Sequence, residues 1–306
     1  MNEAALNNQL EGLAVDYLYH LGLSSADDLK GMFGDVKHVA MMGSADRAYA
    51  FALKLNKELH DLDPTTIQPI GKTERFSMYK VGDTISVSHG MGQPSHSILL
   101  HEITKMLHYA GAENFTYYRL GTSGGLGVEP GTVVIADKGL HPSGRAEYTL
   151  HVLGEPVTFE TDFDIGLAHE ILSVRGDIEA VIGSTVAGDD FYTEQARLDG
   201  AFRLIDQAQK MRYLRSLHDL GALNFEMESA GFAAFCKQLG IPAACMCVTL
   251  LNRLEGDQVT STPEQLAAFS DRPQQLLINH IRETRKRREI QAISTDVSGY
   301  PGLGRE

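Results

Sequence analysis

Short β-branched runs alternate with helical periods along almost the whole chain, with no linker between them, and this alternation restricts it to an α/β architecture. Thr84–Ser88 reads as a strand that ends in the turn Gly90-Met91-Gly92-Gln93-Pro94. Ser95 is then expected to cap a helix with apolar positions at Ile98, Leu99, Ile103, Met106 and Leu107. Residues 115–120 read as the next strand, 121–131 as a tight loop holding five glycines, and 132–136 as a strand again. Further on, Met211, Leu214, Leu217 and Leu220 mark a helix, and a strand is expected over 224–227. A helix over 229–239 and a buried strand over 242–250 follow. No repeat or Pro/Gly/Ser-rich linker divides the chain, so residues 13–289 are assigned to one domain. The polar or Gly/Pro-rich stretches 1–12 and 290–306 are expected to be mobile ends.

Of the 306 residues, 43% are hydrophobic and 22% charged, enough apolar material for a full core. The first twenty residues carry glutamates and no apolar block, unlike a secretory signal. The longest nearly apolar stretch, 240–251, is too short to cross a bilayer. A cytoplasmic location is therefore expected. Cys236, Cys245 and Cys247 form no metal-binding spacing and read as core thiols. The net charge of −13 argues against nucleic acid or an anionic membrane as a partner. It also means that an anionic substrate would have to be held by cations gathered locally. The basic run 282–288 reads as a solvated helix end rather than as such a site.

Several familiar motifs fail on inspection. Gly71-Lys72-Thr73 lacks the upstream glycine of a P-loop, where Thr66 stands. His96 and His101 are five apart, so no zinc-protease helix is present. Gly121-Thr122-Ser123-Gly124-Gly125 fits the hydrolase elbow in letters, but residues 124–130 cannot supply the helix that must follow the serine. Another reading suits the segment better. Arg119 ends a strand, and a glycine-rich loop with Thr122 can turn N–H and hydroxyl donors toward an anion. A second loop of the kind, Gly43-Ser44-Ala45-Asp46-Arg47, follows the apolar run 39–42. Two such loops, each with an arginine, could converge on one phosphate.

At this level of detail the chain resembles the uridine phosphorylases of the nucleoside phosphorylase-I family. RLGTSGGLGVEPG at 119–131 is similar to their phosphate loop, FYTEQARLD at 191–199 to their uracil-recognition segment, and NFEMES at 224–229 to their ribose segment. VTLLNRLEGDQ at 248–258 is similar to the animal-type members. HLGL at 20–23, MFGDVK at 32–37 and VSHGMGQPS at 87–95 also fit, in order. The resemblance covers about residues 16–285 and implies a single α/β domain whose central mixed, partly barrel-like sheet is flanked by helices.

It also implies roles. Phosphate would be held by Gly43, Arg47, Arg119 and Thr122, with Arg75 reaching in from a neighbouring subunit; guanidinium forks suit a dianion. Met227 and Glu228 would hold the ribose, the carboxylate accepting from both ring hydroxyls. His20 of the neighbour would meet the 5′-hydroxyl. Gln195 and Arg197 would grip uracil, their side chains projecting to one side of an extended segment. Arg253 would support them, and Gly124, Phe191, Leu250 and Leu251 would wall the ring. Arg119, Gln195 and Arg197 would carry the catalysis. The purine-specific members are expected to place an aspartate after the apolar strand, where this chain reads Leu-Leu-Asn-Arg. The bacterial potassium site is not carried over, because Phe76 follows Arg75. No metal or organic cofactor is implied. Uridine, phosphate, uracil and ribose 1-phosphate would be the small-molecule partners, and the active sites would be shared across a homodimer. A water-using nucleosidase would lack the arginines at 47, 75 and 119; a non-catalytic paralogue acting as a binding or scaffolding protein could have lost Gln195 or Arg197.

Overall fold

The computed structural model describes Met1 and residues 6–297 and carries, ahead of its main sheet, a two-stranded ribbon of β1 (Tyr17–Leu18) and β2 (Leu23–Ser24) and the short helix α1 (Leu29–Phe33). Its centre is a sheet whose strands alternate their side chains between two apolar layers, so helices must cover both faces. In β3 (His38–Met42), Val39 and Met41 face one layer and Ala40 and Met42 the other. β12 (Ala243–Asn252) does the same, with Cys245 and Cys247 against Ala244, Met246 and Val248. The first layer is completed by α3 (Gln93–Tyr109) and α6 (Ser229–Leu239), the second by α2 (Ala45–Leu59), α4 (Ile165–Ser173) and α7 (Pro263–Val297).

The other strands of this sheet are β4 (Met78–Val81), β5 (Thr84–Ser88), β6 (Thr116–Gly125), β7 (Val133–Leu140), β10 (Ala180–Ala187) and β11 (Ala222–Glu226). Their order is β11-β10-β7-β12-β6-β3-β5-β4. β3 and β12 run parallel to β6, while β7 runs antiparallel to β12. β6 then pairs a second time, antiparallel to β11, through Gly124↔Phe225 and Gly125↔Asn224. That pairing closes β6, β11, β10, β7 and β12 into a ring, the mixed and partly barrel-like sheet expected. An exposed hairpin, β8 (Glu147–Val152) with β9 (Glu155–Glu160), was not anticipated.

Three local expectations are corrected. The strand read as ending at Leu120 continues through Gly125, paired with β12 at Cys247↔Gly121, Val248↔Thr122 and Thr249↔Ser123. Its glycines make room instead of turning the chain. A Cβ at 121 would stand 2.7 Å from Arg119 Nη1 and 2.8 Å from Cys247 Sγ, and one at 125 would stand 3.0 Å from the Leu251 carbonyl. α3 begins at Gln93, with Gly92 at the cap and Pro94 in the first turn, where its fixed φ is favourable. Ser95 does not cap it; its hydroxyl donates to the His89 carbonyl at 2.6 Å. Ser44 is the true cap of α2, so Arg47 stands in the first turn of a helix and not in a loop.

The predicted strand over 224–227 is β11, displaced two residues toward the N-terminus at its start and ending at Glu226. The helix marked by Met211, Leu214 and Leu217 is α5 (Gln207–Asp219); Leu220 lies just beyond it and is exposed. The basic run on α7 is paired: Arg282 meets Glu58 at 2.7 Å, Arg285 meets Asp83 at 2.5 Å and Arg287 meets Glu170 at 3.4 Å. It ties the helix to α2, to the turn before β5 and to α4. Residues 8–12 form a short 3-10 helix and α7 continues to Val297. Residues 2–5 and 298–306 of the two expected mobile ends lie outside the described residues. Among the described residues, no helix is long and apolar enough to cross a membrane.

Candidate active site

Gly43 after β3, His89 and Gly90 after β5, the C-terminal parts of β6, β11 and β12, and residues of the loop 191–197 enclose a cavity of about 280 Å³. Ligand sites in α/β folds favour such strand ends. Every residue assigned a role from the sequence lines it, except His20 and Arg75.

One end is built on β6 and β11. Arg119, only 4% exposed, lies between two carboxylates: Nη1 is 2.8 Å from Glu226 Oε2, and Nη2 pairs closely with Glu228 Oε2. Nη1 also meets Cys247 Sγ at 2.9 Å. Burial disfavours the guanidinium charge, but Glu226 and Glu228 outweigh it and hold the pKa well above the ordinary arginine value. The carboxylates are held in turn. Glu228 Oε1 accepts from the Gly92 N–H at 2.6 Å, and Glu226 accepts from the N–H groups of Glu228 and Ser229, both at 2.9 Å. Glu226, Cys245 and Cys247 bring their ligand atoms within 4.8 Å of one another, and the cation they face is the guanidinium. Arg119 Nε has no partner among the described residues.

Arg47 approaches from α2, with Nε on the Ser44 hydroxyl at 3.2 Å. Burial and then the charge of Arg119 push its pKa down, so it is a cation short of counter-charge. Gly43 leaves room here: a Cβ would crowd Arg47 Nη2 at 2.8 Å and the Gly90 carbonyl at 3.2 Å.

The other end is a loop. Residues 191–196 are turns, and Ala196 has φ +52°, so the extended segment expected around Gln195 and Arg197 is not present. The cause is local. Asp190 Oδ1 accepts from Tyr192 N at 3.0 Å and also from Thr193 N, and Arg197 N donates to the Tyr192 carbonyl at 2.8 Å. The turn nevertheless delivers both side chains to the cavity. Gln195 is 3% exposed, and its backbone carbonyl accepts from Arg253 Nη2 at 2.6 Å. Arg197 lies over the Phe191 ring at 4.6 Å and pairs with Asp199 at 2.6 Å.

Asp257 ties this loop down. Its carboxylate takes Arg253 Nε at 2.8 Å, buried Lys210 Nζ at 2.6 Å and Leu198 N at 3.2 Å, and its carbonyl takes Arg197 Nη2 at 2.9 Å. Burial would raise its pKa, but the hydrogen bond from Lys210 and the charge of Arg253 prevail and hold it low. Arg253 thus links Asp257 to the Gln195 carbonyl.

His20 and Arg75 are brought together elsewhere, in a surface depression with Tyr19, Thr73 and Glu74. His20 Nδ1 is 2.6 Å from Glu102 Oε1, and Arg75 is exposed. Within one chain neither lines the main cavity.

Sequence reasoning missed Glu226, His89 and Cys247. Glu226 carried a signal, because it stands two residues before Glu228 at the end of a strand. His89 lay inside a quoted segment with no chemistry attached. Cys247 carried none, since its contact with Arg119 arises only from strand pairing.

With the geometry in place, comparison decides the family. The model of the family described as the phosphorylase superfamily matches residues 37–282. The chain belongs to that superfamily. It is 43% identical to mouse uridine phosphorylase 2 over 283 residues, 90% of this chain and 88% of that one. It is also 36% identical to a Schistosoma mansoni relative named inactive uridine phosphorylase B, covering 90% of this chain and 95% of that one. The structure of Schistosoma mansoni uridine phosphorylase in complex with uracil superimposes with a TM-score of 0.87 at 38% identity, over 91% of this chain and 98% of that one.

Proposed function

We propose that this superfamily member is a uridine phosphorylase, converting uridine and phosphate reversibly into uracil and ribose 1-phosphate, with deoxyuridine as a further substrate. The observation that carries this reading is the placing of Gln195 and Arg197 in the same cavity as Arg119 and Arg47. An amide beside a guanidinium complements the O2, N3–H and O4 edge of uracil, while two arginines beside helix and glycine N–H groups suit a dianion.

Phosphate would lie against Arg47, Gly43, Thr122 and Arg119, whose Nε has no protein partner among the described residues. Glu228 and Met227 would hold the ribose between the two ends. As the glycosidic bond breaks, positive charge gathers on the sugar beside the phosphate, and negative charge gathers on the uracil oxygens beside Gln195 and Arg197. Catalysis is then preorganised electrostatics, requiring neither a protein nucleophile nor an organic cofactor or metal. Within one chain Arg119 faces two carboxylates, so a dianion calls for more positive charge than Arg47 supplies. Exposed Arg75, with His20, would come from the second subunit of a homodimer. The enzyme would act in cytoplasmic pyrimidine salvage.

The rival reading, a binding or scaffolding paralogue, has a precedent in the relative named inactive, but this chain keeps Gln195, Arg197 and all three phosphate arginines. Uridine incubated with the purified protein should release uracil only when phosphate is added, with ribose 1-phosphate formed in equal amount. Release without phosphate, or none with it, would refute the assignment.

A further inference from the structure

His89, directly after β5, lines the cavity, but its ring takes no part in the contacts described so far. It is 1% exposed, and neither ring nitrogen has a hydrogen-bond partner among the described residues. Its backbone is fixed on both sides: the N–H donates to the Met42 carbonyl at 2.7 Å, and the carbonyl accepts from Ser95 Oγ at 2.6 Å. Behind the ring lies His96, with centroids 4.5 Å apart, and His96 packs on Phe232 and Met41. No hydrogen bond joins the two rings, and His96 Nδ1 is likewise without a partner among the described residues. In front lie Arg47 from α2 and Arg119 from β6, both of which add to burial in pushing its pKa well below the ordinary histidine value. The next residue, Gly90, closes on Gly43 through its carbonyl. His89 is thus a neutral imidazole at the anion end, carrying a buried N–H that native proteins seldom leave unused.

We infer that His89 is a further ligand of the oxyanion, donating one ring N–H to phosphate in the forward reaction and to the phosphoryl group of ribose 1-phosphate in the reverse. This rests on the phosphorylase reading. The ring has the required donor, and the charges that act on it are those of the two arginines assigned to the same anion.

The test is phosphate kinetics, together with calorimetric titration of phosphate alone into the protein. His89→Leu should raise the phosphate KM and Kd about 10- to 100-fold, the worth of one hydrogen bond to a charged acceptor, with a much smaller change in the uridine KM. His89→Asn and His89→Gln place an amide N–H near the Nδ1 and Nε2 positions respectively, and one of them should recover most of the phosphate affinity. Unchanged phosphate KM and Kd in His89→Leu, or an effect confined to uridine, overturns the inference. If the leucine variant does not fold, the amide pair decides: equal phosphate KM values in the two overturn it. A wild type that cleaves uridine without phosphate would instead overturn the phosphorylase reading.

Discussion

The two ends of the cavity are built differently. The Arg119 end is made of paired strands: its guanidinium is fixed by two carboxylates and a thiol, and those carboxylates by backbone N–H groups. The Gln195 end is a run of turns with half-exposed Phe191 and Tyr192, held from behind by Arg253, Asp257 and Lys210. A strand cannot shift one residue without breaking the sheet, whereas a loop can be altered while its scaffold stays. On the proposed function, the anion, common to every substrate pair of such an enzyme, would fall to the rigid end, and base choice to the end that tolerates change.

If that division is right, the largest effects on base selection belong to Gln195. Cytosine would set an amino donor against Arg197, so wild-type kcat/KM for cytidine should fall ~10³-fold or more below that for uridine. Gln195→Leu should lower uridine kcat/KM by a similar factor with little loss of stability, because the only side-chain bond it removes among the described residues is a long one of 3.4 Å to the Glu226 carbonyl. Cytidine cleavage at the uridine rate would end the comparison. Next comes Arg119→Ala, which should cut turnover by at least ~100-fold and raise the phosphate requirement. Unlike the loop variant it should also unfold more easily, by about 3–5 kcal/mol, because Glu226 and Glu228 lose their shared cation. Equal thermal stability in these two variants would erase the distinction between the ends.

Asp257→Ala should act on the loop end through its support. Lys210 and Arg253 would be left buried without their carboxylate, at a cost of about 3–5 kcal/mol, and the uridine KM should rise more than the phosphate KM. The native pair also predicts a pH signature. The folded-state pKa of Asp257 lies below the unfolded value of about 3.9, so its contribution is complete above that pH and is lost as pH falls through the folded value. Urea unfolding between neutral pH and about pH 3 should show a shallower acid loss in Asp257→Asn than in wild type. The smallest effect is expected of Phe191→Ala. Its ring is 42% exposed and stacked by Arg197, so a change of a few-fold in uridine KM with unchanged phosphate KM is the outcome that fits.

The same contrast explains what could be read from the sequence. Strands such as 84–88 were legible because every residue is buried and the bounding turns are glycine-rich. The stretch 121–125 was misread as a loop because glycine signals both a turn and a close approach, and only the partner strand decides between them. The cavity residues were legible through resemblance, segment by segment, but their supports, Arg253 apart, were not. Cys247 reaches Arg119 through strand register, and Lys210 reaches Asp257 across 47 positions of chain. The mistaken extended geometry at 195–197 arose because the Asp190 turn and the left-handed Ala196 leave no periodic trace.

The division of labour can be seen directly by determining a crystal structure of the protein with uracil and phosphate both bound. The account predicts the phosphate between Arg47, Thr122 and Arg119. It predicts the uracil edge on Gln195 and Arg197, with its face toward Phe191 and with Arg75 of a second subunit completing the anion site. An anion resting on Arg197, or uracil lodged beside Arg47 and His89, would contradict it.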